Sequence, residues 1–182
     1  IPYYEFVEST ENTKGVLTEK EDIVTYYYRK LTFNFSVEKT LVGITLNGNS
    51  VKVTNDKLAK VEVRAKQVQK TELIVNYGIK VINDGEIKGK ATIEEIIPQG
   101  YEVIDQEEYW ETTGGVLETE VELDVGQETD LSVKLKWLND EDNVGVKNNI
   151  VQIGKIENAA NYEETSILDN TSSAQVIVGI TT

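Results

Sequence analysis

The chain has 182 residues, with 32 acidic against 18 basic side chains and a formal net charge of −14. It contains no Cys, no Met and no His, which excludes thiol catalysis, disulfide staples, imidazole acid–base chemistry and His/Cys zinc sites. The charge also argues against nucleic acid and direct contact with anionic membrane surfaces.

The length suits one ordinary domain, or one domain with a smaller appendage, and is enough to bury a core. With no Met in the sequence, the expectation is an internal or processed piece of a longer protein. No signal peptide and no long apolar run is present.

Residues 1–31 hold five of the nine tyrosines: Tyr3, Tyr4, Tyr26, Tyr27 and Tyr28. Strands around Phe6 and Tyr26, joined at Thr13-Lys14-Gly15, predict a β-hairpin that cannot be stable alone. It is expected to be an appendage, with a boundary near Lys30. From there onward the dominant pattern is period-two alternation in short segments separated by turn residues, which predicts an antiparallel β protein. Phe33, Phe35, Val37 and Leu41 alternate with Asn34, Ser36, Glu38 and Thr40. Asn47-Gly48-Asn49 is a turn. Val61, Val63 and Ala65 form a strand face, as do Leu73, Val75, Tyr77, Ile79 and Val81. Asn83-Asp84-Gly85-Glu86 then reads as a hairpin turn, because Asp-Gly tolerates positive φ. Further strands are predicted at Thr92–Pro98, Val121–Val125, Leu131–Trp137, Asn149–Ile153 and Val176–Ile180, with turns at Gly114-Gly115, Val125-Gly126-Gln127 and Asn139 to Asn143. Residues 157–173 read as a polar loop. Seven or more strands at this spacing imply an all-β, Ig-like antiparallel sandwich with the N-terminal hairpin attached.

Carrying each alternation through its polar members gives the most informative result. Lys39 falls in phase with Phe35, Val37 and Leu41; Glu95 shares a face with Ile93 and Ile97; Asn149 is in phase with Val151 and Ile153. Each is therefore expected on an inward face. A buried lone amine or carboxyl group changes protonation state or acquires a partner. An uncharged lysine amine can attack an asparagine carboxamide while a protonated carboxylic acid polarises the carbonyl and shuttles protons, leaving an amide cross-link and free ammonia. The alternatives are that Lys39 snorkels at a strand end, that Asn149 is a satisfied turn residue after Asn148, and that a bulge near Glu95 reverses the phase.

The segments VINDGEIKGKATIEEIIPQGYEV, DVGQETDLSVKL and NNIVQI, bounded by FSVEKTL and SSAQVIVGITT, resemble the Ig-like repeat domain of Gram-positive cell-wall surface proteins. The likeness follows that family's "V-x-N-x-G" hairpin, its "D-x-x-P-x-G" segment, matched here by Glu95 to Gly100, and its late glycine and asparagine strand entries, over about 31–182. Residues 3–30, YYEFVESTENTKGVLTEKEDIVTYYYRK, resemble the end of a mucin-binding-protein-type repeat. The resemblance implies two units: residues 1–31 as the C-terminal part of that repeat, and 32–182 as the Ig-like surface domain. It also implies an adhesin- or pilin-like isopeptide bond in which Lys39 is the amine, Asn149 the carboxamide and Glu95 the acid. Glu95 departs from the Asp more usual there.

Two further constellations bear on function. Tyr109-Trp110 beside Gly114-Gly115 is a candidate aromatic binding patch for a glycan or protein, or else a pair closing one end of the sandwich. Asp140-Glu141-Asp142-Asn143 lacks the ligand spacing of a calcium loop and reads as a solvated acidic turn, so no metal is assigned. No cofactor is implied. The expected function is a non-enzymatic structural or adhesive module of an extracellular, cell-wall-attached protein, meeting neighbouring domains of its parent chain. The alternative is a module that binds a host glycan or host protein through Tyr109 and Trp110.

Overall fold

The computed structural model describes residues 1–11, 15, 23–157, 163–164 and 171–182. Its strands are β1 (Tyr4–Ser9), β2 (Tyr26–Lys30), β3 (Phe35–Leu46), β4 (Asn49–Val51), β5 (Leu58–Arg64), β6 (Leu73–Asn83), β7 (Gly89–Ile96), β8 (Tyr101–Val103), β9 (Glu111–Thr113), β10 (Val116–Leu123), β11 (Glu128–Trp137), β12 (Gly145–Glu157), β13 (Glu163–Glu164) and β14 (Thr171–Thr181). Short 3₁₀ turns at Ala65–Lys70 and Glu141–Asn143 interrupt them.

The sandwich forms because almost every long strand carries apolar residues at alternate positions. Strand β6 is the clearest case: Leu73, Val75, Tyr77, Ile79 and Val81 are buried, and the residues between them are half-buried. Five strands in the order β4-β3-β6-β11-β8 make one sheet, and β5-β14-β12-β7-β10-β9 make the other, with β13 beside β12. The core between them draws on both, with Phe35, Tyr77, Leu135 and Trp137 from the first sheet and Ile93, Leu117, Val151 and Val176 from the second. An Ig-like β-sandwich is therefore the fold. One pairing departs from the antiparallel expectation: β5 and β14, distant in sequence, run parallel.

Several turns follow from local chemistry. Asn47 and Gly48 both take positive φ between β3 and β4, as do Gly114 and Gly115 between β9 and β10, the conformation tight hairpins require.

The segment Asn83–Glu86 is not a hairpin. Strand β6 belongs to the five-stranded sheet and β7 to the seven-stranded one, so the segment carries the chain from one layer to the other. Gly85 is not among the residues with positive φ. A Cβ there would lie 2.5 Å from the Asn34 backbone nitrogen and 2.9 Å from the Thr32 carbonyl oxygen, so glycine is needed for close approach. Asn83, fully buried, holds the crossover together. Its Nδ2 donates to the carbonyls of Ile87 and Leu123 (both 2.9 Å), and its Oδ1 accepts from Gly85 N at 3.1 Å.

Other boundaries also shift. Ala65 is exposed and starts the 3₁₀ turn rather than extending β5. Thr171 to Ser173 belong to β14 rather than to a loop; the remainder of that predicted loop is outside the described residues except for Glu157, which ends β12, and β13. Thr13 and Lys14 of the predicted hairpin turn likewise lie outside the described residues.

Strands β1 and β2 pair with each other only, as a two-stranded sheet. Their join to the sandwich runs through Arg29, which donates to both carboxylate oxygens of Glu86 at 2.9 and 2.8 Å. Glu86 also accepts from the Thr32 backbone N–H at 3.0 Å. These donors hold the Glu86 carboxyl down at about 2.

Gly85→Ala should destabilise the sandwich by about 1–3 kcal/mol, since backbone rather than flexible side chain must yield. Urea unfolding measures this, and an unchanged midpoint would show that the crossover tolerates a Cβ.

Candidate functional site

Lys39, Glu95 and Asn149 are each completely buried. They come from three separated strands. Lys39 is on the inner face of β3 in the five-stranded sheet; Glu95 on β7 and Asn149 on β12 are neighbours in the opposing sheet, where Glu95 pairs with Val151 two residues beyond Asn149. The fold positions them by the same alternation that builds the core, since each occupies a core position on its strand. Lys39 does not snorkel. Asn149 is not in a turn but inside a thirteen-residue strand, and the β7 phase holds through Glu95.

Within the site, the Lys39 amine is hydrogen-bonded to Glu95 Oε2 and sits 4.8 Å from the centroid of the Tyr77 ring. Asn149 Nδ2 donates to the Ile96 carbonyl at 3.0 Å, and the Asn149 side chain is close enough to Glu95 to oppose the rise of its pKa. Two acceptors are left over: Glu95 Oε1 and Asn149 Oδ1 are buried with no hydrogen-bond partner. The contrast with the other buried asparagine is instructive, because Asn83 uses its carboxamide nitrogen twice and its oxygen once.

Burial works against the charged form of both partners. Burial pushes the Lys39 amine down to about 8, against the pull of Glu95 in the other direction. Burial pushes the Glu95 carboxyl up, against Lys39 and Asn149. The effective desolvation penalty for an ion in such a place is several kcal/mol, and an ion pair recovers it only when the remaining lone pairs are satisfied. Here they are not. The pocket brings an amine, a carboxyl group and an amide carbonyl together away from water, and a proton on Glu95 would supply a donor for the two leftover acceptors.

Residues that the sequence reading passed over fix the Lys39 backbone. Its N–H donates to Ser172 Oγ at 2.9 Å, and its carbonyl accepts from Lys57 Nζ. Ser172 falls within the predicted polar loop, yet it is in phase with Ala174, Val176 and Val178, and that phase is the signal that marks it as inward.

Tyr109 and Trp110 are brought together but do not form an exposed aromatic platform. Trp110 is only 3% exposed and Tyr109 40%. Strand β8 pairs with β11 at Leu135, Lys136 and Trp137, leaving Ser132 at an uncovered edge. There Trp110 Nε1 donates to the Ser132 carbonyl at 2.8 Å, and the Tyr109 hydroxyl accepts from Ser132 N at 2.9 Å. Two side chains thus stand in for a missing strand, which protects the edge from pairing with other chains. Trp110 also walls a hollow of about 580 Å³ over the five-stranded sheet, with Thr40, Asn76, Gly78 and Ser132 in its lining. The acidic segment 140–143 is exposed except for half-buried Asn143, and Asp140 accepts from Asp142 N at 3.0 Å. Among the described residues no group of three or more acidic side chains is placed to hold a metal, and no helix is long and apolar enough to cross a membrane.

No family model and no curated protein matches the chain. Among solved structures it is similar to two Ig-like β-sandwich modules. One is a CARDB domain from Pyrococcus furiosus, at 15% identity and TM-score 0.41, with 82% of this chain and 96% of that one covered. The other is a non-cellulosomal cohesin from Archaeoglobus fulgidus, at 10% identity and TM-score 0.42, covering 77% and 91%. A β-glucosidase from Listeria innocua is similar at 13% identity and TM-score 0.35, but the chain spans only 19% of its length.

The Lys39 shift sets a pH dependence wherever the amine stays free, as in Asn149→Ala. Its folded value lies below its unfolded value, so the unfolded chain binds the extra proton between about pH 8 and 10.5, and stability rises with pH across that window. Asn149→Ala should gain stability from pH 8 to 10 relative to Lys39→Met/Asn149→Ala. Parallel urea midpoints for the two would show that Lys39 is charged in the fold.

Proposed function

We propose that this chain is a structural module of a bacterial cell-surface protein whose sandwich is locked by an isopeptide bond between Lys39 and Asn149. The observation that carries the reading is the fully buried amine–acid–carboxamide cluster with two unpartnered acceptors, in a chain without cysteine.

The chemistry balances within the cluster. The neutral Lys39 amine attacks Asn149 Cγ as protonated Glu95 donates to Oδ1. Glu95 then takes a proton from the attacking nitrogen and passes it to Nδ2. The Cγ–Nδ2 bond breaks, ammonia leaves, and the carbonyl re-forms as its proton returns to Glu95. The Ile96 carbonyl, which accepts from Nδ2 at 3.0 Å, holds the carboxamide nitrogen in place until it leaves. The reaction happens once, within the chain, and is not turnover.

Such a bond closes a loop from residue 39 to 149, and by loop-entropy reasoning it stabilises the fold by on the order of 4–5 kcal/mol. It ties a strand near the start of the sandwich to one in the opposing sheet, so a pulling force bypasses the strands between. In this proposal residues 1–31 end a preceding mucin-binding-type repeat, 32–182 form the Ig-like stalk or adhesive domain, and the parent is anchored to the cell wall.

Intact-protein mass spectrometry should find the wild type one ammonia lighter than its sequence mass, and Lys39→Ala, Asn149→Ala and Glu95→Gln at full mass. A wild type at full sequence mass would end the proposal.

A second reading, a module that binds a host glycan or protein, is favoured by the hollow beside Trp110. A glycan array tests it: binding that is lost in Asn76→Trp, which fills the hollow, would support it, and no binding above background would exclude a glycan ligand.

A further inference from the structure

We infer that Ser172 is a positioning residue for cross-link formation: its hydroxyl fixes the Lys39 backbone at the distance from which the amine meets Glu95 beside Asn149. This rests on the isopeptide reading above and extends it to a residue two strands away from the acid.

The geometry begins with an open edge. Strand β4 covers β3 only at Ile44, Thr45 and Leu46. Beyond the bulge at Val42, where the register between Leu41 and Gly43 shifts, the outer edge of β3 has no strand partner. A fraying edge is a poor place to hold a nucleophile, because strand ends open with little free energy. Around Lys39 the edge groups are captured individually. Leu41 N–H donates to the Asp56 carbonyl at 2.6 Å, the Lys39 carbonyl accepts from Lys57 Nζ, and Lys39 N–H donates to Ser172 Oγ at 2.9 Å. Of these three, only Ser172 belongs to the sheet that carries Glu95 and Asn149.

Register makes that connection specific. Across the seven-stranded sheet, Ser172 pairs with Val151, and Val151 with Glu95, so the three form one row perpendicular to the strands. Ser172 and Glu95 are two strand spacings apart, roughly 10 Å. Lys39 is fastened at both ends of this row, by its backbone N–H at Ser172 and by its amine at Glu95. Its side chain therefore lies across β12, the strand that bears Asn149 two residues from Val151. Without the Ser172 hydroxyl, the Lys39 backbone keeps its Lys57 contact but loses its tie to the sheet that carries Glu95 and Asn149, and with it the fixed span that sets the amine beside the carboxamide. Positioning of this kind contributes to rate because small displacements of a nucleophile from its attack geometry are costly.

The test compares Ser172→Thr with Ser172→Val, two β-branched residues of the same shape that differ by a hydroxyl. The full chain is made by cell-free synthesis and sampled by intact-protein mass spectrometry, following the loss of one ammonia over time. Wild type and Ser172→Thr should react at similar rates and Ser172→Val about tenfold more slowly, the loss expected for one hydrogen bond. Ser173→Ala, on the outward face of the same strand, should match wild type. A role confined to stability would move only the urea midpoint of the reacted protein, whereas positioning moves the rate at temperatures where both variants are folded. Ser172→Val reacting at the wild-type rate would overturn the inference alone. A wild type that never loses ammonia would overturn the isopeptide reading and this inference with it.

Discussion

A primary amine held in a dry interior against a carboxyl group is the constraint on which the rest of this structure depends. Lys39 and Glu95 face each other from opposing sheets, with no exposed surface on either. Removing one partner from such a pair leaves an uncompensated buried polar or charged group and costs several kcal/mol. The two sheets must therefore stay in one relative position. That position also brings Asn149 beside Glu95 with its carboxamide oxygen unpaired. A core made only of Leu, Ile and Val would tolerate small slides between its layers; here a slide would also part the Lys39 amine from Glu95 Oε2 and leave both buried without each other.

Around that centre, side chains do work that backbone ladders leave undone. Ser172 and Lys57 occupy the open edge of β3. Tyr109 and Trp110 occupy the edge of β11 at Ser132. Asn83 and Gln127 lace the crossover between the layers, with Asn83 N–H donating to the Gln127 carbonyl at 3.0 Å. Unpaired strand edges invite association with other chains, and a strongly acidic surface adds mutual repulsion between copies. The chain achieves this without a disulfide.

The legibility of the site in the sequence had a simple origin. Period-two alternation assigns a face, and Lys39, Glu95 and Asn149 each fell on the apolar face of their own strand. All three are buried as expected. Where the reading failed, the alternation was locally broken or the information was not local. Val42 bulges out of β3 and shifts the phase after Leu41, so the alternation read as far as Leu41 does not extend further along the strand. Asn83-Asp84-Gly85 carries the composition of a hairpin, yet links strands that belong to different sheets. Ser172 stands just inside a strand whose start was hidden by a polar sequence, so its hydroxyl was not counted among the inward groups.

What the sequence by itself determined was the strand-rich class, the inward face of most strands, the exclusion of cysteine and histidine chemistry, and the three polar residues that break the apolar pattern. Only the tertiary structure decided that those three meet. Which strand lies beside which, which sheet each joins, and that β5 runs parallel to β14 are settled by hydrogen bonds and packing between residues tens of positions apart. Alternation says which way a side chain points; it carries no record of what lies across the gap.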